Sequence, residues 1–469
     1  MSEVIVDATF VGRLLRLALP VCVQMVLFNL LGLVDVLMLG HIGALQVAAA
    51  GLGTRVMFIT VIVLVSVATG ATILGAQYVG ASNDTGLRRA FALAITVGTA
   101  VMAPVALAFL LWPAALPSLA SSDPELLRHA GDYLRIVGPT VLLSAIVIPF
   151  ESALRAIHAT SAPTWISAGA IGVNVFFNWL LIFGHWGLPA LGIVGAAWAT
   201  VIGRFVHLAL CLWVIYRLYP RLALRRADYA VLGEHDSWRR FTALTWPLAI
   251  NEALWVFGIY AYNVVYGRMG TTELAVVNML APLEGVLLAL FVGVAIASSI
   301  LVGNELGAER FDTADAIARW LLRAMPGAAI VIGAAMALSH DALAWFYPGV
   351  PAPVLEQGEW VLIVLGLILW SKVLNMALIM GILRAGGDNR FVLIAECSAM
   401  WGVGIPLAAA MGLWWQWPLP VVFLASFVEE AVKAAVGLRR YRSGAWRRNL
   451  VAGGEDAGHA VQVTGTAAS

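Results

Sequence analysis

Apolar stretches of about 20 residues, each long enough to cross a hydrocarbon core of about 30 Å as a helix, recur along nearly the whole of this chain. No other feature constrains the fold as strongly. Of the 469 residues 61% are hydrophobic and 12% charged, against about 25% charged in a soluble globular chain, and the mean hydropathy is +0.89. Glycine, proline and charge punctuation places spans near 14–39, 46–78, 90–112, 126–150, 162–183 and 191–219, then near 241–266, 273–304, 313–339, 354–383, 390–413 and 417–440. The longer ones must tilt or project beyond the bilayer.

Basic residues fall in alternate loops. Arg13/Arg16, Arg88/Arg89, Arg155, Arg217 to Arg240, Arg310 to Arg323, Arg384/Arg390 and Arg439 to Arg448 mark one side. Segments 113–127, 183–192, 341–358 and 412–420 carry no Lys or Arg, and the 266–272 turn has only Arg268. The positive-inside rule puts both termini in the cytoplasm, which demands an even number of spans. Arg13 and Arg16 lead directly into a long first span with no small-residue cleavage site, so that span is expected to be retained. Cys22, Cys211 and Cys397 lie in apolar segments without metal-ligand spacing, which points to packing and not to a disulfide framework or a zinc site.

The chain repeats itself. Pro20, Gly40, Gly43, Ala48, Ile73, Leu74, Gly80 and Ala81 recur as Pro247, Gly267, Gly270, Ala275, Ile300, Leu301, Gly307 and Ala308, all at an offset of 227. Leu154-Arg155-Ala156 recurs as Leu383-Arg384-Ala385 at 229. Halves with an even number of spans share an orientation and are related by an axis along the membrane normal, an arrangement in which two lobes can rock about a central cavity. The expected organisation is a cytoplasmic N-terminus (1–13), an N-lobe of six spans (14–219), a cytoplasmic linker (220–240), a C-lobe of six spans (241–440) and a disordered cytoplasmic tail (441–469).

An ionisable residue inside a span costs about 2.5 to 3.5 kcal/mol on insertion scales, so each is a candidate site. Asp35 lies in the outer half of the first span. Asn174 and Asn178, four apart, project from one face of the fifth span and can complete an oxygen-rich pocket with Asp35 if the spans meet. Glu252 sits five residues beyond Pro247 in the seventh span, where a carboxylate can bind a proton, Na⁺ or an organic cation in turn. At the 227 offset Glu252 corresponds to Met25 and Asp35 to Tyr262, so these acids are asymmetric additions to a symmetric scaffold. Lys372, inside the tenth span, calls for a carboxylate partner, and Glu252 is the first candidate, with Asn375 on the same face. Glu284 and Glu396 are weaker candidates. Arg155 and Arg384 end spans on the cytoplasmic side, where they can anchor to headgroups or pair across the lobes. Most of the eighteen tryptophans suit an interfacial belt.

With these motifs in hand, residues from about 10 to 440 resemble the multidrug and toxic compound extrusion (MATE) family. The carriers are Leu31-Gly-Leu-Val-Asp35-Val-Leu-Met-Leu-Gly40, Pro247 through Glu252, Leu383-Arg-Ala-Gly-Gly-Asp388, and Gly187-Leu-Pro-Ala-Leu-Gly192 followed by Gly195-Ala-Ala. The resemblance implies an all-α membrane fold: twelve transmembrane helices in a V-shaped pair of pseudo-twofold-related six-helix lobes. It further implies a bacterial inner-membrane antiporter exporting organic cations or drugs against H⁺ or Na⁺. Asp35 matches the family's essential first-span carboxylate, and Glu252 the cation-site glutamate of the bacterial norfloxacin-exporter branch. Lys372 stands near an acid of that branch, and Asn178 where the archaeal branch has an acid. A lysine beside Glu252 would repel a metal cation, which favours H⁺ over Na⁺.

The expected partners are thus organic cations or drug-like molecules and membrane lipids, with no nucleic acid, no cofactor, no metal and a monomeric state. A lipid-linked sugar flippase of the same superfamily is the rival transport reading, but it would need a strongly cationic cavity, and intramembrane basic groups are few. A membrane-embedded enzyme is disfavoured because His41, His158, His185 and His207 are scattered singly and no His-Glu-x-x-His pair occurs. A receptor or scaffold has no evident use for duplicated lobes with asymmetric buried charges.

Overall fold

In hydrocarbon the backbone N–H and C=O groups find no water, so each span must satisfy them internally. The computed structural model, which describes residues 8–452, meets this requirement with helices, and no strand occurs among the described residues. Six long helices form the first half: α1 (Ala8–Gly40), α2 (Ala44–Gly80), α3 (Asp84–Leu111), α4 (Pro124–Ala156), α5 (Ser161–Phe183) and α6 (Ile193–Leu218). The second half has α7 (His235–Met269), α8 (Thr271–Gly307), α9 (Phe311–Leu338), α10 (Ala352–Leu383), α11 (Asn389–Trp414) and α12 (Leu419–Arg442). Each coincides with one expected span to within six residues at either end. The first eleven qualify as spans on length and composition; α12 carries Glu429, Glu430 and Lys433 at its middle.

Local chemistry sets the helix ends. Asn83 Oδ1 accepts from Gly86 N at 2.8 Å to start α3, and Asp123 caps α4, whose first residue is Pro124. Gly184, at φ +74°, ends α5 in the left-handed conformation. Inside α1, the Pro20 carbonyl accepts from Thr164 Oγ1 of α5 at 2.8 Å, a side-chain bond that ties the two helices together. A π-helical stretch, Met376–Leu383, closes α10 and hands the chain to Arg384.

Helices α1–α6 pack into one lobe and α7–α12 into the other. Leu19, Val331 and Ile394 stay 64, 69 and 66% exposed, apolar surface that suits lipid and not water. The lobes join through α1 against α8, α2 against α7, and α2 against α8. Here the repeat acquires a physical reason. A side chain on Gly80 would strike the carbonyl of Asn304, and one on Gly307 would strike the carbonyl of Gln77. Gln77 and Asn304 are themselves related by the 227 offset, so α2 and α8 cross reciprocally at their C-terminal ends, and only glycine admits that approach.

Every hydrogen bond between the lobes among the described residues lies in the half of the molecule that carries the chain ends. Cys22 Sγ donates to the Leu290 carbonyl, His158 meets Asn304, and Gln77 Nε2 donates to the carbonyls of Ala385 (3.0 Å) and Arg448 (3.1 Å). Residues 441–452, expected to begin a disordered tail, instead fold back over this junction. Trp446 is fully buried, and Leu450 N donates to Gln77 Oε1 at 2.6 Å. The remainder of the expected tail, 453–469, lies outside the described residues.

A methyl group at Gly80 or Gly307 should therefore wedge the junction apart. Gly80→Ala and Gly307→Ala are expected to lower the thermal unfolding midpoint in detergent, by an overpacking cost of about 1 to 3 kcal/mol, and to speed maleimide labelling of the buried Cys22. Gly172→Ala, where the added carbon meets nothing within 4 Å, should change neither; equal behaviour of all three variants would contradict the packing argument.

Candidate functional site

In the N-lobe the expected oxygen-rich pocket forms. Asn178 Nδ2 donates to Asp35 Oδ1 at 2.6 Å and to Asn174 Oδ1 at 3.0 Å, and Asn174 Nδ2 reaches Thr200 Oγ1 at 3.5 Å. The four-residue spacing on α5 places both amides on one face, and α1 and α6 bring Asp35 and Thr200 against it. Asn178 is fully buried, and its Oδ1 has no hydrogen-bond partner among the described residues. Tyr133, from α4, is buried beside Thr54 and Thr200 at the edge of the pocket. Asp35 is half-buried and is held by an amide, with no basic group in salt-bridge range among the described residues.

The C-lobe arranges its charges differently from expectation. Lys372 does not meet Glu252; it pairs with Glu284 on α8 and lies over the Phe423 ring at 5.7 Å. Glu252 is instead bound by Arg384, whose Nη1 is 3.1 Å from Glu252 Oε1 and whose Nη2 is 3.3 Å from Glu396 Oε2. The reason is topological. The π-helical end of α10 turns Arg384 inward between α7 and α11, while Lys372, three turns earlier, faces α8. Arg384 therefore neither anchors to headgroups nor crosses between lobes, and Arg155 likewise stays within its own lobe, 3.9 Å from Glu151. The charge-repulsion argument for H⁺ over Na⁺ built on Lys372 beside Glu252 has no geometric basis, although Arg384 puts a cation at the same carboxylate.

A second C-lobe cluster lies at the level of Tyr262, the counterpart of Asp35. Tyr262 donates to Glu429 Oε2 at 2.5 Å, Lys433 Nζ sits 2.5 Å from Glu429 Oε1 and 3.2 Å from Glu430 Oε1, and Asn375 Nδ2 donates to Glu430 Oε2 at 2.7 Å. Tyr262, Tyr266 and Phe423 stack beside it. The lobe with no acid at the Asp35 position thus receives one from α12.

Sequence reasoning passed over Glu151, Glu429, Glu430 and the role of His207. The signal was present, an ionisable residue inside an apolar run, but Glu151 stands four residues before Arg155 near a span end, Glu429 and Glu430 occupy the most polar span, and His207 stands singly in α6. Glu151 is 5% exposed and accepts from Gln24, Ser167 and His207. Gln24 corresponds to Asn251 at the 227 offset, and Arg155 and Ser167 correspond to Arg384 and Glu396 at 229. An amide, an arginine and a carboxylate therefore recur at the same depth in both lobes, with the carboxylate moved from α4 to α11.

Comparison with known proteins agrees with this architecture. Relatives include an uncharacterized transporter YisQ of Bacillus subtilis, 25% identical over 94% of this chain and 95% of its own length. A probable multidrug resistance protein NorM of Geobacillus kaustophilus is 28% identical over 86% of this chain and 88% of its own. Among solved structures, a mutant of the Vibrio cholerae MATE transporter VcmN superposes with a TM-score of 0.85 at 17% identity, covering 94% of this chain and 98% of that one. The MatE family profile matches residues 20–180 and 247–410, one stretch in each lobe. On this match, and with the duplicated six-helix lobes in place, the chain belongs to the MATE family of multi-span membrane transporters.

Proposed function

We propose that the protein is a secondary active exporter that moves organic cations and drug-like molecules out of the cell in exchange for inward H⁺, by alternating access of its two lobes. The observation that carries this reading is the environment of Asp35. Glu151, Glu252, Glu284, Glu396, Glu429 and Glu430 are each set against a basic side chain, whereas Asp35 accepts from an amide. A carboxylate so placed is compensated only when something binds it, and that is the requirement for a group that carries an ion and a substrate in turn.

The choice of H⁺ rests on the same pocket. An N–H donor already occupies Asp35 Oδ1, the fifth helix contributes amides and not a second acid, and one proton on the other oxygen neutralises the site without displacing that donor. In the C-lobe each cluster, fully ionised, holds one more carboxylate than cations: Glu252 and Glu396 against Arg384, and Glu284, Glu429 and Glu430 against Lys372 and Lys433. That surplus and the adjoining Tyr262, Tyr266 and Phe423 rings suit a cationic aromatic substrate. The names of the NorM relatives, multidrug resistance proteins, support the substrate class. The arginine-rich end with the junction is read as cytoplasmic, which gives a multi-pass inner-membrane protein with both termini inside.

Ethidium efflux from cells tests the assignment. Asp35→Asn is expected to leave dye accumulation at the level of cells without the protein, and Glu252→Gln to weaken efflux; if both variants pump like the parent, the coupling assignment is wrong. In sealed vesicles a pH gradient alone should drive uptake of the dye, and full activity on a Na⁺ gradient without a pH gradient would refute H⁺ coupling. Arg384→Met leaves two half-buried carboxylates without their cation and should lower the unfolding midpoint, by less than the roughly 3 to 5 kcal/mol of a fully buried pair, a loss that Glu396→Gln partly restores.

A further inference from the structure

Two layers of polar side chains cross the N-lobe, and the coupling reading uses only the one around Asp35. Helices α1, α5 and α6 each contribute to both layers. Gln24 and Asp35 are eleven residues apart on α1, Ser167 and Asn174 seven apart on α5, and Thr200 and His207 seven apart on α6. Seven and eleven residues are about two and three turns, so the members of each pair share a face, and the layers lie about 10 to 16 Å apart along the helices. Glu151, from α4, is the centre of the inner layer, which is nearer the end that carries the termini.

Three donors converge on Glu151 Oε1: Gln24 Nε2 at 3.1 Å, Ser167 Oγ at 3.0 Å and His207 Nε2 at 2.9 Å. The glutamate and the histidine are 5 and 4% exposed. The charged or titratable groups facing the pair are Arg155 on α4, and Arg204 and Cys211 on α6, each one turn from His207; α1 and α5 present the neutral Gln24 and Ser167. A structural ion pair at this depth needs no imidazole. In the other lobe Arg384 is the basic side chain in salt-bridge range of Glu396 among the described residues, with Asn251 beside it and Lys433 further off on α12, which has no histidine. His207 is thus an addition to the repeated amide, arginine and carboxylate. It is a side chain that can gain and lose a proton at Nδ1 while its Nε2–H stays on Glu151.

We propose that the Glu151–His207 pair is a second proton-binding site of the N-lobe, which receives the proton that Asp35 gives up and passes it to the end carrying the termini. This rests on the H⁺-antiport reading. The O–H bond of the Asp35 carboxylic acid breaks and a chain of water molecules relays the proton along the Thr200–Arg204 face. An N–H bond forms at His207 Nδ1, giving an imidazolium beside the Glu151 carboxylate. That bond then breaks and the proton leaves to water at the terminal end, which restores neutral His207.

Proton release on addition of saturating ethidium, measured with a pH dye in weakly buffered detergent solution from about pH 5.5 to 8, tests the idea on the full-length protein, Asp35→Asn and His207→Gln. Glutamine retains an N–H for Glu151 but has no proton to exchange. His207→Gln is expected to bind ethidium with unchanged affinity, to lose part of the pH dependence of release, and to turn over about tenfold more slowly in vesicles at unchanged KM. If the parent protein releases no protons, the H⁺ reading itself fails. If the parent does and His207→Gln matches it in proton count, pH profile and turnover, the histidine is only a packing partner and the proposal is overturned. Glu151→Gln, which keeps an acceptor for the three donors, is the second variant should His207→Gln not fold, and the same altered pH profile is expected of it.

Discussion

A buried charge in hydrocarbon must be compensated by something, and that constraint organises the interior of this protein. The helical scaffold satisfies its own backbone, so the remaining electrostatic problem belongs to a few side chains in the spans. Most are solved locally: Lys433 lies between Glu429 and Glu430, Lys372 against Glu284, and Arg384 between Glu252 and Glu396. These pairs hold helices α7, α8, α10, α11 and α12 to one another at fixed depths. Asp35 differs in kind, because what compensates it is an amide and not a basic side chain.

The twofold repeat and its violations divide the work. Where the halves agree, they build the joint: Gly80 and Gly307 admit the close crossing of α2 and α8, and Gln77 and Asn304, the residues they touch, are repeat partners. A reciprocal contact of this kind lies on the symmetry axis and can serve as a pivot without favouring either lobe. Where the halves disagree, they carry charge. Asp35 faces a tyrosine position in the other half, Glu252 a methionine position, and His207 has no histidine counterpart. Symmetry builds the joint between the lobes, and its breaking gives the two interiors different charge arrangements.

The residues legible in advance were those whose partners are dictated by helical spacing or by a single helix contact. Asn174 and Asn178 had to share a face, and the pocket with Asp35 then required only that the first and fifth spans meet, as they do. Lys372 was a fair candidate for Glu252 because both lie in the same lobe, yet the choice among several carboxylates depends on which way α10 presents each residue. The π-helical turns before Arg384 rotate that presentation, and no propensity rule locates them. Glu151 and His207 were hidden for a related reason: each looks unremarkable on its own helix, and only the packing of α4 against α6 makes them a pair.

Hydrophobic run length, basic-loop alternation and the 227-residue echo were enough to determine twelve membrane helices in two like halves, because bilayer thickness and backbone hydrogen bonding leave a long apolar segment one choice. They also singled out Asp35 and Glu252 as candidates, since an acid inside such a run needs a reason. Which cation meets which carboxylate, and that residues 441–452 fold back to seal the junction, was decided only in three dimensions. Ion pairing is short-ranged and directional, and rotating a helix by one residue, about 100°, replaces every partner that its side chains can reach.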